Sequence, residues 1–287
     1  MKISTEIASA SKIIGEEKAV ELIAKAGFDA WDFSMFSMCP YDFANKRVVY
    51  SHHPLAGRDY ADFSKKLRYI GEECGIVCNQ SHAPFPCNNE ITKSYLKRAI
   101  ECTAIAGGEY CIIHPNNYDS PTGNKELFLE LLPFAKECGV KIATENMWGW
   151  DDVTDRADHA ACSSPENFNA HLDEVCDDFL VACLDIGHAE MMGKETNAPE
   201  MIRALGKRLK ALHIHDNDKW HDSHQIPFSM DIDFNPVVKA LKDINYSGYF
   251  TLEADQYLNV YDSDNVFEGI KELSQSARKL ADMFENM

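Results

Sequence analysis

Along the chain, short apolar stretches alternate with longer segments in which apolar positions recur every three or four residues. The short stretches predict strands: KISTEIA (2–8), FDAWDFS (28–34), GIVCNQSH (75–82), YCIIHP (110–115), VKIATEN (140–146), FLVACLDIG (179–187), LKALHIH (209–215) and YFTLEA (249–254). The longer segments predict helices. EEKAVELIAKAG, ITKSYLKRAIECTAIAGG and KELFLELLPFAKECG each close on glycine, which stops a helix in the left-handed conformation without steric cost. SPENFNAHLDEVCDD opens with Ser164 ahead of Pro165, a capping hydroxyl followed by a residue with no N–H to satisfy. DFNPVVKALKDINYSG and NVFEGIKELSQSARKLADMFENM complete the set.

Eight strand–helix alternations with no Pro/Gly/Ser linker predict one α/β domain over residues 1–287, folded as a (β/α)8 TIM barrel. A doubly wound open sheet is the runner-up. The long connections 35–60, 146–164 and 216–233 all follow strands, so a barrel would gather them at its C-terminal face, where barrel enzymes place their chemistry.

The bulk composition narrows the partners. With 45% hydrophobic and 26% charged residues the chain reads as an ordinary globular protein. Its 46 acidic against 28 basic residues leave a net charge of −18, which disfavours nucleic acid and anionic lipid as partners. Ten cysteines without a CxxC pair read as small core residues in a reducing compartment. The N-terminal segment lacks the apolar core of a signal peptide and no run approaches a membrane span, so the expected location is the cytoplasm. Exposed aromatic loops leave room for a homo-oligomer.

The candidate chemistry sits at the strand ends. Strand three ends in His82, strand four in His114 and strand five in Glu145. Strand six ends in Asp185 with His188 just beyond, strand seven in His213 and His215, and strand eight in Glu253. Three carboxylates aimed at one rim would repel unless a cation neutralised them. Carboxylates with one imidazole suit a divalent ion: Mn²⁺, Mg²⁺ or Co²⁺, with Zn²⁺ also admissible. His213 and His215 share a strand face, so one can bind metal while the other orients substrate or a carboxylate. Past that strand, Asp222 and His224 can clamp substrate or hold an additional ion, whereas His221 reads as a solvated loop residue. Near the rim, Trp31, Phe33, Phe36, Phe85, Trp148, Trp150, Trp220 and Phe228 suit a closed pocket that stacks on a sugar, and plain packing accounts equally well for many of them.

The ordered motifs SHAPF, IIHPNN, ATENMWG, LDIGHA, LHIHDND, DSHQIPF with DIDF, and GYFTLEA resemble the xylose isomerase-like TIM-barrel superfamily. That superfamily holds sugar and sugar-phosphate isomerases and epimerases as well as endonuclease IV. Similarity to the ketose 3-epimerases implies that Glu145, Asp185, His213 and Glu253 hold one divalent ion. Glu145 and Glu253 would also be the acid/base pair. His213 is favoured over His215 because LKALHIHD carries an Asp three residues past the ligand, as endonuclease IV does. His82, His114, Trp148, His188, His215 and His224 would then bind substrate. The activity implied is metal-dependent isomerisation or epimerisation of a small sugar or sugar phosphate through an enediolate, with no nucleotide cofactor. His82 and His188 would stabilise the oxyanion, and Trp148 would help exclude water. The alternative is endonuclease IV-like hydrolysis or lysis, including dehydration. Its three-zinc ligand types are matched at His82, His114, Glu145, Asp185, His188, His213, Asp222, His224 and Glu253. The chain departs from the epimerase pattern at Asp151 and Lys219 (or His221), where those enzymes carry Glu and Arg.

Overall fold

The computed structural model describes residues 1–287. Eight parallel strands form the barrel: β1 (Ile3–Glu6), β2 (Ala30–Ser34), β3 (Val77–His82), β4 (Tyr110–Ile112), β5 (Lys141–Glu145), β6 (Leu180–Asp185), β7 (Leu209–His213) and β8 (Phe250–Leu252). Their order is β7-β6-β5-β4-β3-β2-β1-β8, every neighbour parallel. The seam between β7 and β8 closes through a bridge at Ile214 and Leu252. There Ile214 N–H donates to Thr251 O at 2.9 Å and Glu253 N–H donates to Ile214 O at 3.0 Å.

Helices occupy every crossover. Glu16–Ala26, Glu90–Ala106 and Pro121–Cys138 end on Gly27, Gly107 and Gly139, all with positive φ. Helix Pro165–Val175 starts where its sequence predicts, with Ser164 Oγ accepting Asn167 N–H at 3.2 Å. Helices Tyr60–Glu73 and Ala198–Leu205 fill the crossovers after β2 and β6, for which the apolar pattern alone named no helix. Ala198–Leu205 is too short for a long periodic pattern yet buries Met201, Ile202 and Leu205, and Tyr60–Glu73 buries Leu67, so packing against neighbouring elements carries both. The long loops carry two small hairpins, Tyr41–Asp42 with Arg47–Val48 and Gly149–Asp151 with Arg156–Asp158.

The main apolar core lies between strands and helices and includes Trp31, Phe33, Phe128, Phe168 and Phe250. Trp31 and Phe33 therefore belong to packing and not to a sugar pocket, because side chains alternate along β2 and these two face outward while Asp32 faces inward. The barrel interior is divided. Ile112, Ala143, Val181, Cys183 and Ala211 form a separate apolar cluster contributed by β4 to β7. Opposite them, Ser4, Asp32, Asn79, Gln80 and Thr251 from β1, β2, β3 and β8 are buried and joined by hydrogen bonds. An irregularity in the β2–β3 register between Trp31 and Asp32 accompanies this polar side. No helix is long and apolar enough to cross a membrane, and all ten cysteines are unpaired.

Candidate active site

The C-terminal ends of β3 to β8 deliver their polar residues to one place. Glu145, Asp185, His213 and Glu253 bring a donor atom each within 4.8 Å of one another. His213 Nδ1 lies 3.1 Å from both Glu145 Oε1 and Glu253 Oε2. Further donor groups flank it, among them His82, His114 and Glu145 on one side, and His188, His215, Asp222 and His224 on the other. Each of the ten residues proposed for metal or substrate from the strand ends, with Asp222, is thus within one continuous constellation, except Trp148, which borders it by donating Nε1–H to Asp222 Oδ2 at 3.2 Å.

Anchoring of the imidazoles is specific. His82, His188 and His224 each donate Nδ1–H to a backbone carbonyl, of Ala83 (2.9 Å), Asn146 (2.9 Å) and Glu253 (2.7 Å), and so present Nε2 to the site. His188 and His224 aim it at Asp222 Oδ2, at 3.2 and 3.1 Å. His215 turns Nε2 toward Asp185 Oδ1 at 3.1 Å. The helix Ile186–Glu190 can approach that ring because residue 187 is glycine, where a Cβ would collide with the imidazole.

The fit to a cation can be tested on unpaired atoms. Asp185 Oδ2 is buried with no hydrogen-bond partner, and Glu145 Oε2 faces His114 Nε2 at 3.3 Å and Asp222 Oδ1 faces His215 Nε2 at 3.4 Å without the geometry of a hydrogen bond. Buried lone pairs of this kind are costly unless an ion or water satisfies them. Oxygen-rich donors with imidazole nitrogen at this spacing suit a divalent metal. Cys183 Sγ also reaches Glu145 and His213, but burial pushes its thiol up to about 12, which keeps it a protonated packing group.

Electrostatics split the two glutamates. Burial works against ionisation of Glu145, but the charge of His213, its hydrogen bond and the neighbouring His114 carry it well below the usual carboxylate range. Burial, reinforced by the Glu145 charge, pushes Glu253 well above that range against the pull of His213. Asp185 falls to about 2, since His188 and His215 outweigh its burial. His188 rises to about 9, its burial overcome by Asp185 and Asp222, while burial and His114 hold His82 well below the usual imidazole range.

Above this cluster opens a cavity of about 630 Å³. Phe36, Phe43, Phe85, Trp148 and Trp150 supply an aromatic wall, and Asn88, Asn116, Asn117, Asp119 and Asp255 a polar one. No lysine or arginine lines it. Trp220 stays outside, beneath the Arg156 guanidinium, and Phe228 packs edge-on against Phe234. His221 is exposed, bonded to Asp218 and stacked on Trp150. Asp151 is consumed by its own hairpin, accepting from Val153 N–H and Thr154 Oγ1, and Lys219 pairs with Glu190 at 3.3 Å. The two positions at which the chain departs from the epimerase pattern therefore do not reach the cavity.

Three residues that bear on the site escaped the sequence. Asn146 brackets Asp185, donating Nδ2–H to its carbonyl at 2.9 Å and accepting its N–H at 2.7 Å. Lys194 is fully buried and donates to the His188 carbonyl; burial draws its amine down to about 8 against Asp185 and Asp222. Asp32 accepts from His213 Nε2 at 3.3 Å. Its signal was legible as a charged residue in the middle of an apolar strand.

A family profile described as xylose isomerase-like TIM barrel matches residues 20–285. Inosose dehydratase of Clostridium perfringens is 23% identical over 257 residues, covering 84% of this chain and 73% of that protein. Among solved structures, a D-tagatose 3-epimerase-like protein superposes with TM-score 0.73 at 20% identity, covering 99% of this chain and 97% of that one. The IolI protein with a bound zinc atom superposes with TM-score 0.70 at 20% identity, covering 100% and 99%.

Proposed function

The chain belongs to the xylose isomerase-like TIM-barrel family, and from that premise we propose that it is a divalent-metal-dependent isomerase or epimerase of a small, unphosphorylated polyhydroxy carbonyl compound. The observation that carries the reading is the convergence of Glu145, Asp185, His213 and Glu253, whose donor atoms lie within 4.8 Å of one another, with both glutamates 3.1 Å from His213 Nδ1. Two carboxyl groups on opposite sides of one site are suited to acid and base roles in one reaction. A cation held by Glu145, Asp185, His213 and Glu253 would polarise the carbonyl and lower the pKa of the adjacent C–H. Glu145, kept ionised, removes that proton, and the electron pair moves onto the carbonyl carbon's oxygen as an enediolate. Glu253, entering the cycle with a proton, returns it to the other face or the neighbouring carbon. His188 can donate Nε2–H toward the developing oxyanion, whereas His82, anchored through Nδ1–H, offers an Nε2 lone pair that accepts from a substrate hydroxyl. Trp148 and the Phe36–Phe85 wall exclude water and stack on the apolar face of the substrate. The cavity lining carries acids and no lysine or arginine, which suits a neutral substrate over a phosphate ester. Ten unpaired thiols suit a reducing cytoplasm.

The test is exchange of ketose C–H with solvent deuterium in Mn²⁺-loaded protein. Glu145→Gln is expected to abolish exchange; undiminished exchange in that variant would remove Glu145 as the base.

The second reading, hydrolysis or dehydration, is favoured by the third donor group. His188, His215, Asp222 and His224 could hold a further ion, and with His82, His114 and Glu145 the site has donors for three. Inosose dehydratase among the relatives favours the dehydration branch of that reading. Metal counting on purified protein separates the readings: one exchangeable ion supports the isomerase, and three tightly held zinc ions the alternative.

A further inference from the structure

Five imidazoles converge on the site with one ring nitrogen anchored, and four of them, including His215 through the Asp216 carbonyl at 3.4 Å, share a single device. His82, His188 and His224 hand Nδ1–H to a main-chain carbonyl and point Nε2 inward. His213 is reversed. Its Nδ1 faces Glu145 and Glu253, and its Nε2 faces Asp32 Oδ2 at 3.3 Å, deep in the barrel. We infer that Asp32 is the positioning residue that fixes this reversed tautomer, holding the proton on Nε2 so that the Nδ1 lone pair is the metal ligand.

The geometry behind Asp32 is one-directional. Gln80 Nε2–H donates to the same Asp32 oxygen at 2.8 Å. The Gln80 amide cannot turn over, because its Oε1 accepts from Asn79 Nδ2 at 3.2 Å and from Thr251 Oγ1 at 3.3 Å. Asn79 is oriented in turn, its Oδ1 accepting Ser4 Oγ–H at 2.6 Å. Every side chain in this file is buried, Asp32 and His213 to 0% and 1% exposure. The polar half of the barrel thus ends in a carboxylate that offers only an acceptor to Nε2. A histidine with carboxylates at both nitrogens must either carry two protons or meet a cation on one side. With a cation at Nδ1, the remaining proton belongs on Nε2, against Asp32. Hydrogen-bond partners of this kind raise ligand basicity, and their loss typically weakens metal binding about 10- to 100-fold.

The inference rests on the metal site of the proposed function, and its test uses no enzymatic activity. Long-range ¹H–¹⁵N spectra of ¹⁵N-histidine protein loaded with Zn²⁺, with His213→Gln to assign the resonance, read the tautomer directly. The expected result is a protonated Nε2 and a zinc-bound Nδ1. Zinc uptake with His213 bound through Nε2 overturns this inference and leaves the metal reading standing; no zinc uptake at all removes both. Asp32→Ala is expected to weaken zinc affinity about 10- to 100-fold, and Asp32→Asn, which keeps an acceptor oxygen, to restore the wild-type tautomer and part of the affinity. Wild-type zinc affinity in folded Asp32→Ala also overturns the inference. Should Asp32→Ala fail to fold, the wild-type spectrum decides alone.

Discussion

The two halves of the barrel interior are built from opposite materials. Ile112, Ala143, Val181, Cys183 and Ala211 fill the β4–β7 side with apolar volume. Ser4, Asp32, Asn79, Gln80 and Thr251 fill the other side with oriented hydrogen bonds. Barrels commonly pack this region with branched aliphatic residues throughout, so the polar half is the departure. Each half supports different members of the proposed ligand set. Glu145 and Asp185 rise from strands whose lower residues are apolar, so their position is fixed by packing. His213 rises from the apolar side as well, but leans on the polar side through Asp32. The difference teaches that a ligand on the apolar side is oriented from the rim, as Asp185 is by His188 N–H at 2.6 Å, whereas His213 is oriented from beneath through the polar half.

The largest expected effect tests whether both halves serve one reaction. Glu145→Gln and Glu253→Gln stand on opposite sides of the division, and each is expected to lower turnover by roughly 10²- to 10⁴-fold with circular dichroism unchanged. A loss confined to one of them would break the pairing. Next, Ile112→Ala hollows the apolar half and is expected to cost about 2–5 kcal/mol in urea unfolding, while leaving zinc affinity at its wild-type value. Weakened zinc binding in that variant would erase the distinction between the halves.

A third, smaller effect is a pH dependence of the metal-stripped protein. His188 has a folded value of about 9, above its ordinary 6.5, so its stabilising contribution is complete below pH 6.5 and fades as pH rises toward 9. Lys194, drawn down to about 8 from 10.5, acts with the opposite sign above pH 8. The diagnostic window is therefore pH 6.5 to 8, where the urea midpoint should fall in the wild type and fall less in His188→Gln. Equal slopes would contradict the assignment. The smallest effect belongs to Thr251→Val, which removes one donor to Gln80 and should cost about 1 kcal/mol, again by urea unfolding.

Much of this was legible in the residues themselves. The strand pattern located all eight barrel strands, and reading their last polar residues assembled the rim before any coordinates did. The reason is that strand ends in a barrel share one face, so position along the strand already implies proximity. What stayed hidden depends on three-dimensional register. Asp32 sits mid-strand in FDAWDFS, and only the barrel's closure reveals that it lies beneath His213. Lys194 occupies a loop whose composition reads as solvated, yet it is 1% exposed. The choice of His213 over His215 was open on spacing, because both share a strand face; the structure sets His213 among the glutamates and His215 beside Asp185 and Asp222. The aromatic residues divided for the same reason, with Trp31 and Phe33 on the outward face of β2.

The seam between β7 and β8 gives the barrel a weak stave, since a lone bridge at Ile214 and Leu252 stands where other neighbours share several rungs. His213 and Glu253 flank that joint, one on each side. An ion gripped by both would lace the cylinder shut at its loosest plank, so that loading the site and tightening the hoop become a single event.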